Sequence, residues 1–365
     1  MRKRIGWAAA FLATVLVIVV VTTKSIEARA VKMGQQIPRM DQAGEWLNSA
    51  PLTAKDLEGK VVLLDIWEFT CVNCLRTLPY LKEWQRKYAD EGLIIVGVHC
   101  PEFSFGKDST NVGRFVRAQG ITWPIVLDND FTIWKALLNR YWPRKFVYDH
   151  TGKLVYDHVG EGGYVETEQK LMELLAKRNG KTYETGTLGY VRDEDKPDAY
   201  CYPRSPETYA GFERGTLGNK TVKQGKLFTY SEEGGRPVAD IPYLKGQWIQ
   251  TEEYLQYAGD GNSDERLTYR FTGNEMNAVL RGPEGSEQTP LLVQVTMNDK
   301  AVPEAWRGPD LTVNADGNTY IELLEPRMYQ VIYSKRQHGE QIIKFYPKAK
   351  GFELYAFTFG SCVVP

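Results

Sequence analysis

Two cysteines separated by two residues, Cys71 and Cys74, constrain the fold of this chain more than any other feature. An apolar run, residues 61–67, precedes the pair, and a stretch with helical periodicity, residues 75–88, follows it. This order predicts a strand, a turn and a helix, with both thiols at the helix N-terminus. Unpaired backbone N–H groups and the helix dipole stabilise a thiolate there and lower its pKa from about 8.5 to roughly 3.5–7.5. We therefore expect Cys71 to be the nucleophile and Cys74, one turn further in, to be the resolving thiol.

Other interpretations of the pair fit the sequence less well. A zinc site requires four ligands, but the other three cysteines are isolated and the four histidines are scattered along the chain. A purely structural disulfide across so short a loop would add little stability through chain entropy. A peroxidase would place a threonine three residues before its reactive cysteine, whereas Thr70 directly precedes Cys71. The sequence therefore predicts a redox pair that needs neither a metal nor another cofactor.

Asp65 lies six residues before Cys71, inside the otherwise apolar strand. An unpaired carboxylate buried there is costly, so its pKa should rise and allow proton exchange near neutrality. Asp65 would then deprotonate Cys74 when that thiol attacks a mixed disulfide. The alternative is that Asp65 faces solvent at the strand end or has a purely structural hydrogen bond.

Residues 31–181 alternate predicted strands and helices and end in a hairpin, which indicates an α/β domain with a central sheet flanked by helices. The predicted strands are residues 61–67, 93–99, 125–127, 145–148 and 154–159, and the predicted helices are residues 75–88, 111–119, 131–138 and 166–178. Residues 182–206 are rich in Gly, Asp, Pro and Lys and are interpreted as a linker or an irregular packing segment.

Helical periodicity is absent from residues 207–365, where short alternating runs are separated by Gly, Asn, Asp and Pro. This pattern predicts an all-β sandwich, jelly-roll-like, as the second domain. Fifteen of the 21 tyrosines follow Lys181. They either pack within the strands or form a surface that stacks on a sugar ring or a peptide.

The first 30 residues predict a signal peptide or a membrane anchor. Three basic residues at positions 2–4 precede an apolar run, residues 5–23, and the small-residue pattern Ala28-Arg29-Ala30 follows. The run is longer than a usual signal-peptide core and nearly long enough to span a bilayer. Either interpretation places the rest of the chain outside the cytoplasm, in the cell envelope or periplasm, anchored or secreted.

The strand Asp65-Ile66-Trp67, the motif at residues 71–74 and the later Pro79 resemble the thioredoxin superfamily. Residues 67–80 are most similar to the extracytoplasmic half of DipZ-type proteins, which are relatives of the TlpA and ResA reductases. Three further stretches match the same group: residues 97–103, 128–130 and 139–143.

This resemblance implies a thioredoxin fold followed by a carbohydrate-binding-like domain. It implies that Cys71 and Cys74 are the redox pair, that Asp65 is the buried acid, and that Pro143 is a cis-proline facing the pair. Trp142 and Thr70, which flank these elements, are the predicted substrate-binding residues.

Three positions limit what the resemblance implies. Thr70 stands where thioredoxin has a tryptophan, and Thr77 stands where ResA-like proteins carry a glutamate, so a redox potential cannot be transferred. Cys100 is either a small buried apolar residue or a third redox thiol. The roles of Cys201 and Cys362 stay open.

Two functions of different class follow from the sequence. The first is an extracytoplasmic thiol–disulfide oxidoreductase that acts on protein disulfides and receives electrons in trans from a membrane donor similar to CcdA or DsbD. The second is a surface-anchored glycan- or peptide-binding protein whose thioredoxin-like half is a scaffold. With 45 basic and 46 acidic residues, the chain has no global field that would attract nucleic acid.

Overall fold

The computed structural model describes residues 32–363, except 42, 184–187, 262–263 and 287. The first half of this range contains a six-stranded sheet with strand order β1-β4-β3-β2-β5-β6. Its strands are β1 (Trp46–Leu47), β2 (Val61–Trp67), β3 (Leu93–His99), β4 (Ile125–Leu127), β5 (Arg144–Tyr148) and β6 (Leu154–Val159). Its helices are α1 (Ala54–Leu57), α2 (Val72–Tyr88), α3 (Ser109–Ala118), α4 (Thr132–Ala136) and α5 (Tyr164–Asn179).

Strand β2 lies at the centre of this sheet, parallel to β3 and antiparallel to β5. All seven of its residues are buried, because apolar clusters cover both faces of the sheet. Alternate side chains point to opposite faces: Val61 and Leu63 belong to the cluster beneath α2 and α5, and Val62 and Leu64 belong to the other cluster. The predicted thioredoxin-type α/β domain is confirmed.

The second half of the chain is all-β, as predicted. Strands β8 to β20 form a continuous 13-stranded sheet, and β7 pairs with β21 separately. These strands are β7 (Tyr200–Cys201), β8 (Thr208–Tyr209), β9 (Leu227–Tyr230), β10 (Tyr243–Gln250), β11 (Leu255–Tyr257), β12 (Arg266–Gly273), β13 (Glu275–Arg281), β14 (Leu291–Met297), β15 (Lys300–Ala301), β16 (Thr312–Val313), β17 (Thr319–Leu323), β18 (Arg327–Tyr333), β19 (Gly339–Pro347), β20 (Glu353–Gly360) and β21 (Cys362–Val363).

Strand β10 belongs to both parts of this sheet, because it pairs with β9 and β11 on one part and with β12 on the other. The two parts fold over a common core. Phe345 of β19 and Phe357 of β20, on strands that are not neighbours in the sheet, have ring centroids 5.6 Å apart. Buried aromatic residues from both parts fill this core.

The described part of the segment 182–206 packs against both halves. The Tyr80 hydroxyl of α2 donates to Asp195 over 2.8 Å, and the Tyr333 hydroxyl of β18 donates to Glu194 over 2.8 Å. At the end of the segment, Cys201 lies directly opposite Cys362 and forms a disulfide with it. The chain closed by this bond contains the entire second sheet.

The two halves also share an interior. The apolar cluster under α2 continues into Val279 and Tyr355 of the second sheet, and the Phe105 and Tyr355 rings are 4.8 Å apart. The predicted signal peptide or anchor, residues 1–30, lies outside the described residues. Within the described range, no helix has the length and apolarity needed to cross a membrane.

Candidate redox site

The two cysteines lie where β2 turns into α2. Cys71 is the N-cap residue of the helix, and its Sγ accepts a hydrogen bond from the Cys74 backbone N–H over 3.3 Å. Cys71 is partly exposed, whereas Cys74 is buried, and both are free thiols. Burial, and then the neighbouring Cys71 thiol, raise the pKa of Cys74 well above its usual value. A thiol with a raised pKa becomes a nucleophile only after a base removes its proton.

Asp65 lies in β2 on the face that is covered by α2, and it is 2% exposed. Its Oδ1 has no hydrogen-bond partner among the described residues. Burial raises the pKa of Asp65 to about 6, against the opposing effect of the Lys145 charge. The charge on Asp65 in turn contributes to the raised pKa of Cys74, which shows that the two groups are electrostatically coupled. The solvent-facing alternative for Asp65 is wrong.

Lys145 is the site residue that sequence reasoning missed. It lies directly opposite Asp65 in the antiparallel pair β2–β5 and is fully buried. Its Nζ has no hydrogen-bond partner in the described structure and lies 5.8 Å from the centroid of the Tyr164 ring. Burial lowers the pKa of Lys145, and the Asp65 charge opposes that shift. A lysine two residues after Pro143, directly before the apolar stretch Phe146 to Tyr148, was the available signal.

Thr70, predicted to bind substrate, is buried and is not among the residues that line the cleft at Cys71. It is 1% exposed, and its backbone N–H donates to Glu68 Oε2 over 2.7 Å while its hydroxyl donates to the same oxygen. The other carboxylate oxygen of Glu68 lies 3.7 Å from His99 Nε2. This buried arrangement shapes the turn before Cys71. It argues against a substrate contact by the Thr70 side chain.

The Trp142–Pro143 peptide bond is cis. Pro143 is buried, but Trp142 is partly exposed and lines a cleft together with Cys71. The Trp142 indole N–H donates to the Cys100 carbonyl over 3.1 Å. The structure therefore places Trp142 on the same cleft as Cys71.

Cys100 is 0% exposed and belongs to the apolar cluster on the face of the sheet away from α2. Its Sγ lies 3.6 Å from Asp128 Oδ2, and burial, followed by the Asp128 charge, raises its pKa. This position agrees with the interpretation of Cys100 as a small buried residue. Thr77, also buried, donates to the Cys74 carbonyl over 2.8 Å.

The exposed side of Cys71 opens into a cleft of about 100 Å³ between the two halves of the chain. Cys71, Val72, Asn73, Glu102 and Trp142 form one wall. The second wall comes from the all-β half and contains Arg204, Ser205, Glu207, Tyr209, Thr358 and Phe359. Among the residues that the structure describes, no group of three His, Cys, Asp or Glu side chains could hold a metal ion.

Two family models match the chain. The Redoxin model matches residues 32–175, and the model named Thioredoxin like C-terminal domain matches residues 205–360. These ranges correspond to the six-stranded and the 13-stranded sheets.

Known proteins of similar sequence carry the same two parts or the first alone. Protein DipZ of Mycobacterium bovis is 31% identical over 331 residues, which cover 86% of this chain and 41% of DipZ. Thiol-disulfide oxidoreductase YkuV of Bacillus subtilis is 29% identical over 146 residues, which cover 40% of this chain and 98% of YkuV. A solved structure titled as a putative thiol:disulfide interchange protein DsbE from Chlorobium tepidum is 22% identical, with a TM-score of 0.36, and covers 40% of this chain and 99% of that one.

The chain thus spans about two fifths of the length of the DipZ relatives that it matches. Both matched domains occur in one chain, in the order Redoxin and then thioredoxin-like C-terminal domain. The chain is therefore similar to thioredoxin-like thiol–disulfide oxidoreductases in its first domain, and to DipZ across 86% of its length.

Proposed function

We propose that this protein exchanges thiols and disulfides with protein substrates through the Cys71–Cys74 pair, outside the cytoplasm. The observation that carries this proposal is the placement of Cys71 as a partly exposed N-cap residue, with Cys74 buried one turn behind it. A helix N-terminus favours the thiolate form of a cysteine, and a thiolate is the attacking species in disulfide exchange.

The exchange has two steps. The Cys71 thiolate attacks one sulfur of a substrate disulfide, forms a mixed disulfide with it, and expels the other substrate sulfur as a thiolate. Cys74 then loses its proton and attacks the Cys71 sulfur, which forms the Cys71–Cys74 disulfide and releases the second substrate thiolate. Two electrons pass from the protein dithiol to the substrate, and the reverse sequence oxidises a substrate dithiol.

Asp65 is the proposed acceptor of the Cys74 proton. Its pKa of about 6 keeps it mostly ionised at neutral pH, while burial keeps it more basic than an exposed carboxylate. Lys145 faces Asp65 across the strand pair and supports the ionised form. Pro143 and Trp142 would contact the substrate chain beside the mixed disulfide, with Trp142 on the cleft itself.

Two features support an extracytoplasmic location. The first is the basic and apolar leader pattern of residues 1–30. The second is the Cys201–Cys362 disulfide, because structural disulfides persist mainly in oxidising compartments. A reductase in that location needs two electrons per turnover, and a membrane donor of the CcdA or DsbD kind, acting in trans, is the proposed source.

The glycan-binding alternative has less support. Five tyrosines of the second half, Tyr230, Tyr257, Tyr269, Tyr329 and Tyr355, are at most 2% exposed. Their rings fill the interior of the second sheet and its contact with the first half. Packing therefore accounts for five of the 15 tyrosines that follow Lys181.

Trapping of substrate tests the proposed roles. Cys74→Ser retains the attacking thiol and loses the resolving one, so we expect it to accumulate mixed disulfides through Cys71. Cys71→Ser should accumulate few, because the remaining thiol is buried. Non-reducing gels and mass spectrometry of each variant, expressed with its leader, measure the difference. Equal trapping by the two variants would contradict the assignment.

A further inference from the structure

The cleft at Cys71 is closed on one side by the second half of the chain, and this wall is firmly held. The Tyr209 hydroxyl donates to Glu102 Oε1 over 2.8 Å, and Arg214 Nη1 donates to the same oxygen over 2.9 Å. Deeper in the interface, Arg76 of α2 and Glu275 of β13 form an ion pair at 2.8 Å with little exposure. A substrate that reaches Cys71 through this cleft must therefore fit between two fixed walls.

The cleft is small. A volume of about 100 Å³ lies between its walls. This space accommodates a group of the size of a single amino acid beside Cys71. A low-molecular-weight disulfide, or one extended chain, fits it without rearrangement of the walls.

Two oppositely charged side chains on the second wall have no ion-pair partner among the described residues. Arg204 and Glu207 lie three positions apart, on either side of Ser205 and Pro206, and both line the cleft with Cys71. Glu102 forms an ion pair with Arg214. Glu207 is exposed to the cleft; partial burial there, and then the Glu102 charge, raise its pKa to about 7, against the opposing effects of the Tyr209 hydroxyl and the Arg214 charge. A cation beside Glu207 would relieve the repulsion between these carboxylates.

We propose that this cleft recognises a zwitterionic low-molecular-weight disulfide, in which an ammonium group beside the sulfur contacts Glu207 and a carboxylate contacts Arg204. Cystine is the simplest compound of this class. The proposal rests on the proposed function of Cys71 and extends it from protein disulfides to amino-acid disulfides.

The electron balance requires no further reactant. One cystine accepts two electrons from the Cys71–Cys74 dithiol, its S–S bond breaks, and two cysteines leave as the protein disulfide forms. In reverse, two cysteines reduce the protein disulfide and become cystine. An amino-acid thiol would then supply electrons to the site from solution.

Four disulfides with matched two-carbon arms test the proposal: cystine carries both charges, cystamine only ammonium, 3,3′-dithiodipropionate only carboxylate, and 2-hydroxyethyl disulfide neither. Stopped-flow fluorescence measures the rate at which the reduced full-length protein reacts with each compound. Division by the rate at which dithiothreitol reacts with the same compound gives the normalised rate. We expect the normalised rate for cystine to be highest, with each charge contact contributing about 2- to 5-fold over the neutral compound.

Variants separate the two contacts. For each charged compound, its normalised rate is divided by that of 2-hydroxyethyl disulfide. Glu207→Gln should lower this ratio for cystine and for cystamine. Arg204→Gln should lower it for cystine and for dithiodipropionate. Glu58→Gln removes an exposed carboxylate at the opposite end of β2 and should change none of the ratios. If the ratios are the same in the wild type and in both cleft variants, the proposed recognition of a zwitterionic disulfide is wrong. The proposed redox function would be unaffected by that result. No reaction with any of the four compounds would overturn the proposed function itself.

Discussion

At the scale of single residues, the site depends on a buried acid and a buried base, Asp65 and Lys145, whose Oδ1 and Nζ atoms have no hydrogen-bond partner among the described residues. Asp65 and Lys145 are directly opposed across β2 and β5, and each shifts the proton affinity of the other. Ionised Asp65 is stabilised by Lys145 and destabilised by burial. These two opposing effects set the pKa of Asp65, and therefore the pH at which it can accept the Cys74 proton.

We expect release of the mixed disulfide to depend on pH through Asp65. In the wild type, the release rate should rise as the pH increases through about 6, because Asp65 then becomes ionised. Asp65→Asn should remove this rise and slow release at neutral pH by about 100-fold, the lower range for loss of a general base. Lys145→Met should retain the rise but move it to higher pH, because the cation that lowers the pKa of Asp65 is gone.

Stopped-flow reduction of a model disulfide from pH 5 to pH 9 separates attack from release. The unfolding free energy of each variant serves as the structural control. The pKa of Asp65 is raised on folding from 3.8 to about 6, so the stability cost of its burial grows as the pH rises from about 3.8 to about 6 and is constant above that range. Asp65→Asn removes that cost but leaves Lys145 without its counter-charge. The double variant Asp65→Asn/Lys145→Met should therefore be more stable than either single variant. A release profile that does not move in Lys145→Met would show that Lys145 has only a packing role.

At the scale of elements, helix α2 is held between the two halves by its first turn. Arg76, two residues after Cys74, contacts Glu275 of β13 at 2.8 Å and Glu161 at 3.4 Å. Glu275 also accepts hydrogen bonds from Asn277 and Gln330. The N-terminus of the redox helix is therefore attached to the second sheet by a network with few exposed atoms.

Glu275→Gln should destabilise the protein by about 3 kcal/mol at pH 7, the lower end for loss of one partner of a buried pair, because Glu161 still contacts Arg76. Burial alone would raise the pKa of Glu275, but the Arg76 charge lowers it below the ordinary value of 4.5. The stabilisation by Glu275 is thus present above pH 4.5 and is lost as the pH falls through the lower folded pKa.

Urea unfolding at pH 7 and pH 3.5 measures this dependence, and the difference between wild type and variant should shrink at the lower pH. Glu83→Gln is the matched control on the same helix, where Glu83 pairs with the exposed Arg86. That change should cost less than about 1 kcal/mol. Equal losses in the two variants would contradict the role of the Arg76–Glu275 pair.

At the scale of the whole molecule, the Cys201–Cys362 disulfide joins the start of the second half to its end, across 161 positions in the sequence. A cross-link over so long a loop restricts the unfolded chain strongly. The double variant Cys201→Ser/Cys362→Ser should therefore lose about 3–5 kcal/mol of unfolding free energy.

Guanidinium unfolding with and without a reductant measures this loss. The reductant should destabilise the wild type and leave the double variant unchanged, since Cys71, Cys74 and Cys100 contribute no structural cross-link in the dithiol form. If the oxidised wild type and the double variant unfold at the same denaturant concentration, the disulfide does not stabilise the fold.

The amino-acid sequence by itself determined the features that depend on neighbouring residues. The strand-turn-helix around Cys71 and Cys74 and the all-β character of the second half follow from local periodicity and turn residues, and each is present in the structure. Tertiary structure decided the rest. The register of β2 against β5 places Lys145 opposite Asp65, and β7 against β21 places Cys201 opposite Cys362. The fold also brings Arg204 and Glu207 to the cleft at Cys71. These contacts join positions that are distant in the sequence, and strand register and domain packing, which set them, leave no local pattern in the chain.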